Sequence, residues 1–136
     1  MASFVLTNAY CLLNAVDLSD HVKSVKVSYK ADTPENTAMS QTTKNRVPGL
    51  KDWEMDIEFN QDFALAKVDA TLFPLVGAAA FAIEVRPDAG ARSTTNPAFT
   101  CNCLLADYPP LGNKVGEVAA SSIKLMGTGT LTRATA

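Results

Sequence analysis

The sequence predicts a mainly β, predominantly antiparallel domain with one helix and one long extended loop. Three observations carry this. Residues 53–60 alternate strictly, with Trp53, Met55, Ile57 and Phe59 on one face and Glu54, Asp56, Glu58 and Asn60 on the other, which is the period of a half-buried strand. Shorter alternating runs recur along the chain between Gly, Pro, Asn and Asp signals. Only one stretch places its apolar residues at helical spacing.

In chain order, 4–6 and 10–15 read as two short strands or one bent strand, broken at Thr7 and Asn8. Asp17, Leu18, Ser19 and Asp20 form a turn. Val25, Val27 and Tyr29 then alternate with Ser24, Lys26, Ser28 and Lys30, a strand with a partly basic outer face. The polar stretch that follows has no periodicity and is too long to be a simple connector. It ends at Pro48 and Gly49, where the Trp53 strand begins. Asn60, Gln61 and Asp62 offer N-caps for a helix over 63–76, or 62–76 with its cap, carrying Phe63, Ala66, Ala70 and Phe73 at helical spacing. Val68, Leu72, Leu75 and Val76 widen that stripe; Pro74 kinks or ends it and Gly77 stops it.

Phe81, Ile83 and Val85 oppose Glu84 and Arg86 in a strand closed by Pro87 and Asp88. A loop over 89–98 leads to a strand over 99–108, closed by Pro109 and Pro110. Residues 111–121 read as irregular. The last strand puts Ile123, Leu125, Gly127, Gly129 and Leu131 on one face, its glycines marking a bulge or a close backbone approach. The total is about six or seven strands and one helix.

The chain of 136 residues fits a single domain, 1–136. Its formal net charge of −2 argues against binding nucleic acid by phosphate neutralisation, which needs clustered Lys and Arg. Charged residues are sparse, as expected of a surface that meets other subunits. The first sixteen residues lack a basic n-region and are interrupted by Thr7, Asn8 and Asn14, so neither a signal peptide nor a membrane span is expected and the chain is expected to start in a cytoplasm. Cys101 and Cys103 share one strand face with poor disulfide geometry, and with Cys11 they are expected to be reduced thiols.

No catalytic constellation emerges. Asp17, Ser19, Asp20 and His21 lie in one turn, where nucleophile, base and orienter do not approach from the different directions a hydrolase needs. Glu54, Asp56 and Glu58 line one strand face without a further oxygen cluster for a metal. Gly127 and Gly129 form a GxG without the third glycine or a following helix. No cofactor, metal or catalytic residue is expected, and Trp53 and Phe59 are expected in the core.

The run VDLSDHVKSVKVSY, the segment TAMSQTTKNRVPGLKDW, the strand EMDIEFNQDF and the following KVDATLFPLVG resemble the small major tail (tail tube) proteins of long-tailed bacteriophages. That resemblance covers essentially the whole chain in order, and its motifs are structural. It implies an antiparallel β-sandwich or barrel with one flanking helix, assembled as stacked hexameric rings around a channel for DNA ejection. The partners implied are other copies of the chain, a tape-measure protein and a tail terminator, in a virion tail assembled in the host cytoplasm.

On this pattern the long loop over 33–51 is an inter-ring arm, with Thr33, Asn36, Met39, Thr42, Lys44, Arg46 and Lys51 as its candidate contact residues. Lys44, Arg46 and Lys51 would pair with acidic groups of an adjacent subunit. Glu54, Asp56 and Glu58 form the densest acidic face and are candidates for the lumen wall, where carboxylates would keep DNA from sticking; Glu84 and Asp107 are weaker ones. The alternative is another phage structural β module, a tail terminator or a capsid decoration protein.

Overall fold

The computed structural model describes residues 3–136. Its strands are β1 (Tyr10–Leu13), β2 (Val16–Asp17), β3 (Val22–Ala31), β4 (Lys51–Asn60), β5 (Phe81–Arg86), β6 (Ala98–Asp107) and β7 (Ala120–Ala134), with one helix, α1 (Val68–Leu72). They form one seven-stranded sheet in the order β2-β1-β5-β6-β7-β4-β3, curled into half a barrel. Every pairing is antiparallel.

Alternation decides the faces. Trp53, Met55, Ile57 and Phe59 of β4 join Ile83 of β5, Cys103 and Leu105 of β6, and Ile123 and Leu125 of β7 in one buried cluster. Val68 and Leu72 of α1 and Leu75 of the 3-10 turn Phe73–Leu75 belong to the same cluster, so the helical segment lies on the apolar face of the sheet. Tyr108 fastens it: its hydroxyl donates to Asp69 Oδ1 at 2.6 Å and accepts from Gln61 Nε2 at 3.0 Å. Burial, with the Asp69 bond, pushes that phenol up to about 12.

The glycines of β7 do both things their spacing suggests. A Cβ on Gly127 would fall 2.2 Å from Trp53 Cε2, so the indole packs flat on bare backbone. Gly129 takes φ +89, and the register against β6 shifts from Asn102↔Thr128 to Thr100↔Thr132 around it, a bulge.

Three elements differ from expectation. Residues 4–6 form no strand; Phe4, Val5 and Leu6 are exposed, and only Asn8 bridges to Asp88. The 10–15 run is split, because Asn14 and Ala15 at φ 48 and 65 turn β1 back on β2 in a two-residue hairpin. The helix is shorter than 63–76. Asp62 turns the chain locally, its Oδ1 taking the Ala64 N–H at 2.9 Å, and Ala66 sits at φ 59, so helical geometry begins only at Val68. Pro74, lacking an N–H, then tightens the end into a 3-10 turn.

Candidate functional site

Among the described residues no group of three or more His, Cys, Asp or Glu side chains is placed to hold a metal ion, and no helix is long and apolar enough to cross a membrane. The three cysteines are free, and burial pushes Cys11 and Cys103 up to about 12, so they stay protonated thiols at neutral pH. What the fold presents instead is two surfaces, a polar sheet face and a projecting arm.

The polar face is the back of the half barrel. The β3–β4 register pairs Lys26 with Asp56, and the β4–β7 register pairs Asp56 with Lys124. Lys124 Nζ also reaches Glu54 at 3.5 Å, and Lys23 Nζ reaches Glu58 at 3.4 Å. Glu54, Asp56 and Glu58 therefore do share one face, but three lysines from the flanking strands are interleaved with them. The result is a mixed ladder, with the cross-strand attraction replacing the repulsion that the acidic row alone would carry. Beyond Met126 and the exposed Leu104, Thr100, Asn102, Thr128 and Thr132 continue the face together with Leu12 and Ala82, lining a depression of about 440 Å³.

Glu84 is not a free acid at its end. It is largely buried, accepting from Arg86 Nε at 2.6 Å and pairing with Arg92. Burial raises such a carboxyl, yet the hydrogen bonds from Arg92 and Arg86 outweigh it and hold the group below its ordinary range. The Arg86 guanidinium stacks 4.0 Å over the Tyr10 ring, so the cluster ties β1, β5 and the 87–97 loop together.

The long loop folds back on itself as an irregular hairpin. Asp32 N–H donates to Leu50 O at 2.8 Å, Val47 N–H to Pro34 O at 2.9 Å and Asn36 N–H to Asn45 O at 2.9 Å, so residues 32–50 prolong the β3–β4 ladder as an irregular ribbon. Asn45 N–H bonds Thr37 Oγ1 at 2.8 Å, and Gln41 Oε1 caps the tip at Ala38 N–H. Its side chains touch no core. Thr33, Asn36, Thr42, Lys44, Arg46 and Lys51 are all exposed, and Met39 is 96% and Leu50 82% exposed.

Sequence reasoning missed one link. His21 places Nδ1 2.7 Å from Asp20 Oδ1 and Nε2 2.8 Å from Asp62 Oδ2, tying the turn before β3 to the connection after β4. The partners are forty-one residues apart, and no local pattern signals them. Burial pulls the imidazole down, but the bonds to Asp20 and Asp62 outweigh it and raise it. Asp20 is lowered first by its His21 bond, and Asp62 by the Ala64 N–H and then His21.

The sign follows. A raised histidine contributes stability fully below its ordinary value near 6.5, lost as pH rises through the folded value; the lowered aspartates contribute above about 4, lost as pH falls. The melting temperature is therefore expected to fall between pH 6 and pH 8.5, and His21→Gln to flatten that slope. Equal slopes in the two proteins would show that the link contributes nothing.

No protein-family model and no curated protein sequence matches the chain. Solved structures do. A chain in the tail of an empty gene transfer agent particle, refined helically with C6 symmetry, superposes with TM-score 0.63 at 13% identity over 83% of this chain and 81% of that one. A chain in the virion of a native gene transfer agent particle gives 0.74 at 11% identity over 96% and 98%. One in the sheath/tube terminator of an extracellular contractile injection system, in its extended state, gives 0.72 at 12% identity over 98% and 97%. The curled antiparallel sheet thus has the fold of chains found in tail and injection-system particles. At these identities the likeness is one of fold.

Proposed function

We propose that this protein is a structural, non-enzymatic subunit of a phage-type tail, forming rings that stack into the tail tube through which DNA passes on ejection. The observation that carries this reading is the arm: a preformed ribbon, apolar at Met39 and Leu50 and basic at Lys44 and Arg46, none of whose side chains joins the buried cluster among the described residues. A second feature supports it. β3 is a ten-residue strand at the sheet edge, with one side of its backbone unpaired among the described residues, the kind of edge that a neighbouring copy closes in a ring. Six copies per ring is the count that fits the C6 symmetry of the gene transfer agent tail.

The polar face would then line the channel. DNA carries a negative charge at every phosphate, and a wall of hydroxyls, amides and ion pairs of both signs offers it no net anchor. The exposed Asp56 and the half-exposed Glu54 and Glu58 are the acidic groups of that wall. Tape-measure and terminator proteins are the partners the reading requires, in a virion tail assembled in the host cytoplasm.

A tail terminator is the second reading, favoured by the likeness to the sheath/tube terminator chain. The two differ in closure, since head-to-tail stacking generates an open filament whereas a terminator stops at one ring. Purified protein at high concentration is expected to form rings and then tubes of unbounded length by electron microscopy. Single rings at every concentration would favour the terminator, and a monomer throughout in sedimentation would overturn both.

A further inference from the structure

The arm and a second exposed apolar surface lie at opposite ends of the same sheet. The arm joins β3 to β4 at one end. Asn60, ten residues along β4 and about 30 Å away at strand rise, pairs with Ala120 at the other, where the 61–67 and 109–119 connections leave together. Gln61 stitches them: its backbone N–H donates to Ala119 O at 3.0 Å and its side chain to Pro110 O at 2.8 Å. Phe63, Leu65, Leu111, Val115 and Val118 stand in solvent there, Leu65 at 92% and Val118 at 74% exposure.

Charge distinguishes the two ends. Residues 36–47, the outer part of the ribbon, carry Lys44 and Arg46 and no acid, with Asp32, Glu35, Lys51 and Asp52 at its base, whereas 61–75 and 107–119 carry Asp62, Asp69, Asp107 and Glu117 against Lys67 and Lys114. The outer part of the arm is net basic and the opposite end net acidic, and both expose apolar side chains. Such a pair is complementary head to tail and repels itself head to head.

We infer that the arm of one copy docks on this opposite end of the next copy, seating Met39 and Leu50 among the apolar residues of the 61–67 and 109–119 connections. The inference rests on the reading of the arm as an inter-ring connector and names the surface that receives it. It also accounts for the architecture of the receiving end. The bonds of Tyr108 to Asp69 and of Gln61 to Tyr108 and Pro110 tie α1 and the two connections together within one subunit, so their apolar residues stand side by side before the arm arrives.

Cross-linking tests it. In a Cys101→Ser background, which removes the one cysteine that is not buried, Met39→Cys and Leu65→Cys single variants are mixed in equal amounts, assembled and treated with a short bis-maleimide. A covalent dimer is expected in the mixture, lost when either variant is assembled alone and lost when Lys44 and Arg46 are both changed to Glu. Tubes visible by electron microscopy with no 39-to-65 product, and none with Val115→Cys in place of Leu65→Cys, would overturn the docking surface and leave the tube reading standing. A folded protein that forms no stacks would overturn both. Hydrogen exchange on the unaltered chain gives a second measure, with 34–47 and 111–118 expected to become protected together on assembly. Protection of the arm alone counts against the proposal, as does capture of the arm by a different protein while 111–118 stays exposed.

Discussion

Gly127→Ala is expected to lower the stability of the domain by about 1–3 kcal/mol or more, as overpacked cores do. The added methyl would stand 2.2 Å from Trp53 Cε2 and 2.3 Å from Nε1. The indole has nowhere to retreat, being 2% exposed with Met55 and Ile57 beside it on the same face of β4. The backbone of β7 is equally fixed, paired to β6 on one edge at Cys103↔Gly127 and to β4 one residue earlier at Glu54↔Met126. Against a total stability of about 5–15 kcal/mol such a loss is large.

Chemical denaturation measures it, with Gly112→Ala as the control, since a Cβ there meets nothing within 4 Å. The double variant with Trp53→Phe is expected to lose less than the sum of the two singles, because the smaller ring yields the space the methyl needs. Equal effects at Gly112 and Gly127 would show that the indole does not rest on Gly127.

The strand content was legible because alternation is a local property. The run WEMDIEFN declares its own faces, and Trp53, Met55, Ile57 and Phe59 are buried as that pattern requires. The glycines of β7 were legible for a similar reason, since two glycines in a strand demand a geometric cause. What the sequence does not display is register. Lys26 was readable as an outward residue of β3, but only the pairing with Asp56, and of Asp56 with Lys124, shows that the acidic row is neutralised across the strands.

The arm was readable as a surface element but not as a hairpin, because its pairing runs through backbone groups and the Thr37 and Asn45 side chains, with Pro34 and Pro48 interrupting any alternation. The helix was overextended because Phe63 and Phe73 fit a helical spacing that Ala66, in left-handed geometry, never allows to form. His21 lacked any local signal at all. Its second partner is brought to it only by the β3–β4 pairing, which sets Val22 opposite Phe59 and so carries the start of one strand beside the end of the other.

Replacing residues 36–45 by a short Gly-containing turn is expected to leave the domain folded and to abolish stacking. The first half follows from what the segment touches. Its hydrogen bonds are internal to the ribbon, at Asn36–Asn45, Thr37–Asn45 and Ala38–Gln41. The β3–β4 ladder runs from Ser24↔Glu58 to Ala31↔Lys51 without it. The melting temperature should therefore change little, as it does when an exposed segment without core contacts is removed.

The second half follows from what the segment would bury. A Met side chain taken fully out of water is worth about 1.5–3 kcal/mol, and Met39 is nearly all in water in the free subunit. In a ring each copy contributes the same contact, so the losses add around the ring, and an interface between rings that loses one anchor per subunit does not persist at dilute concentration. Lys44 leaves with the deleted segment, removing part of the charge complementarity that sets the direction of stacking. Sedimentation and electron microscopy of the shortened protein are then expected to give folded monomers or isolated rings, with circular dichroism unchanged outside the loss of the ribbon. An unfolded domain would mean that the ribbon nucleates the β3–β4 pairing it extends. Tubes of normal length would mean that rings are joined by another surface, and the apolar residues of the arm would then need a different partner.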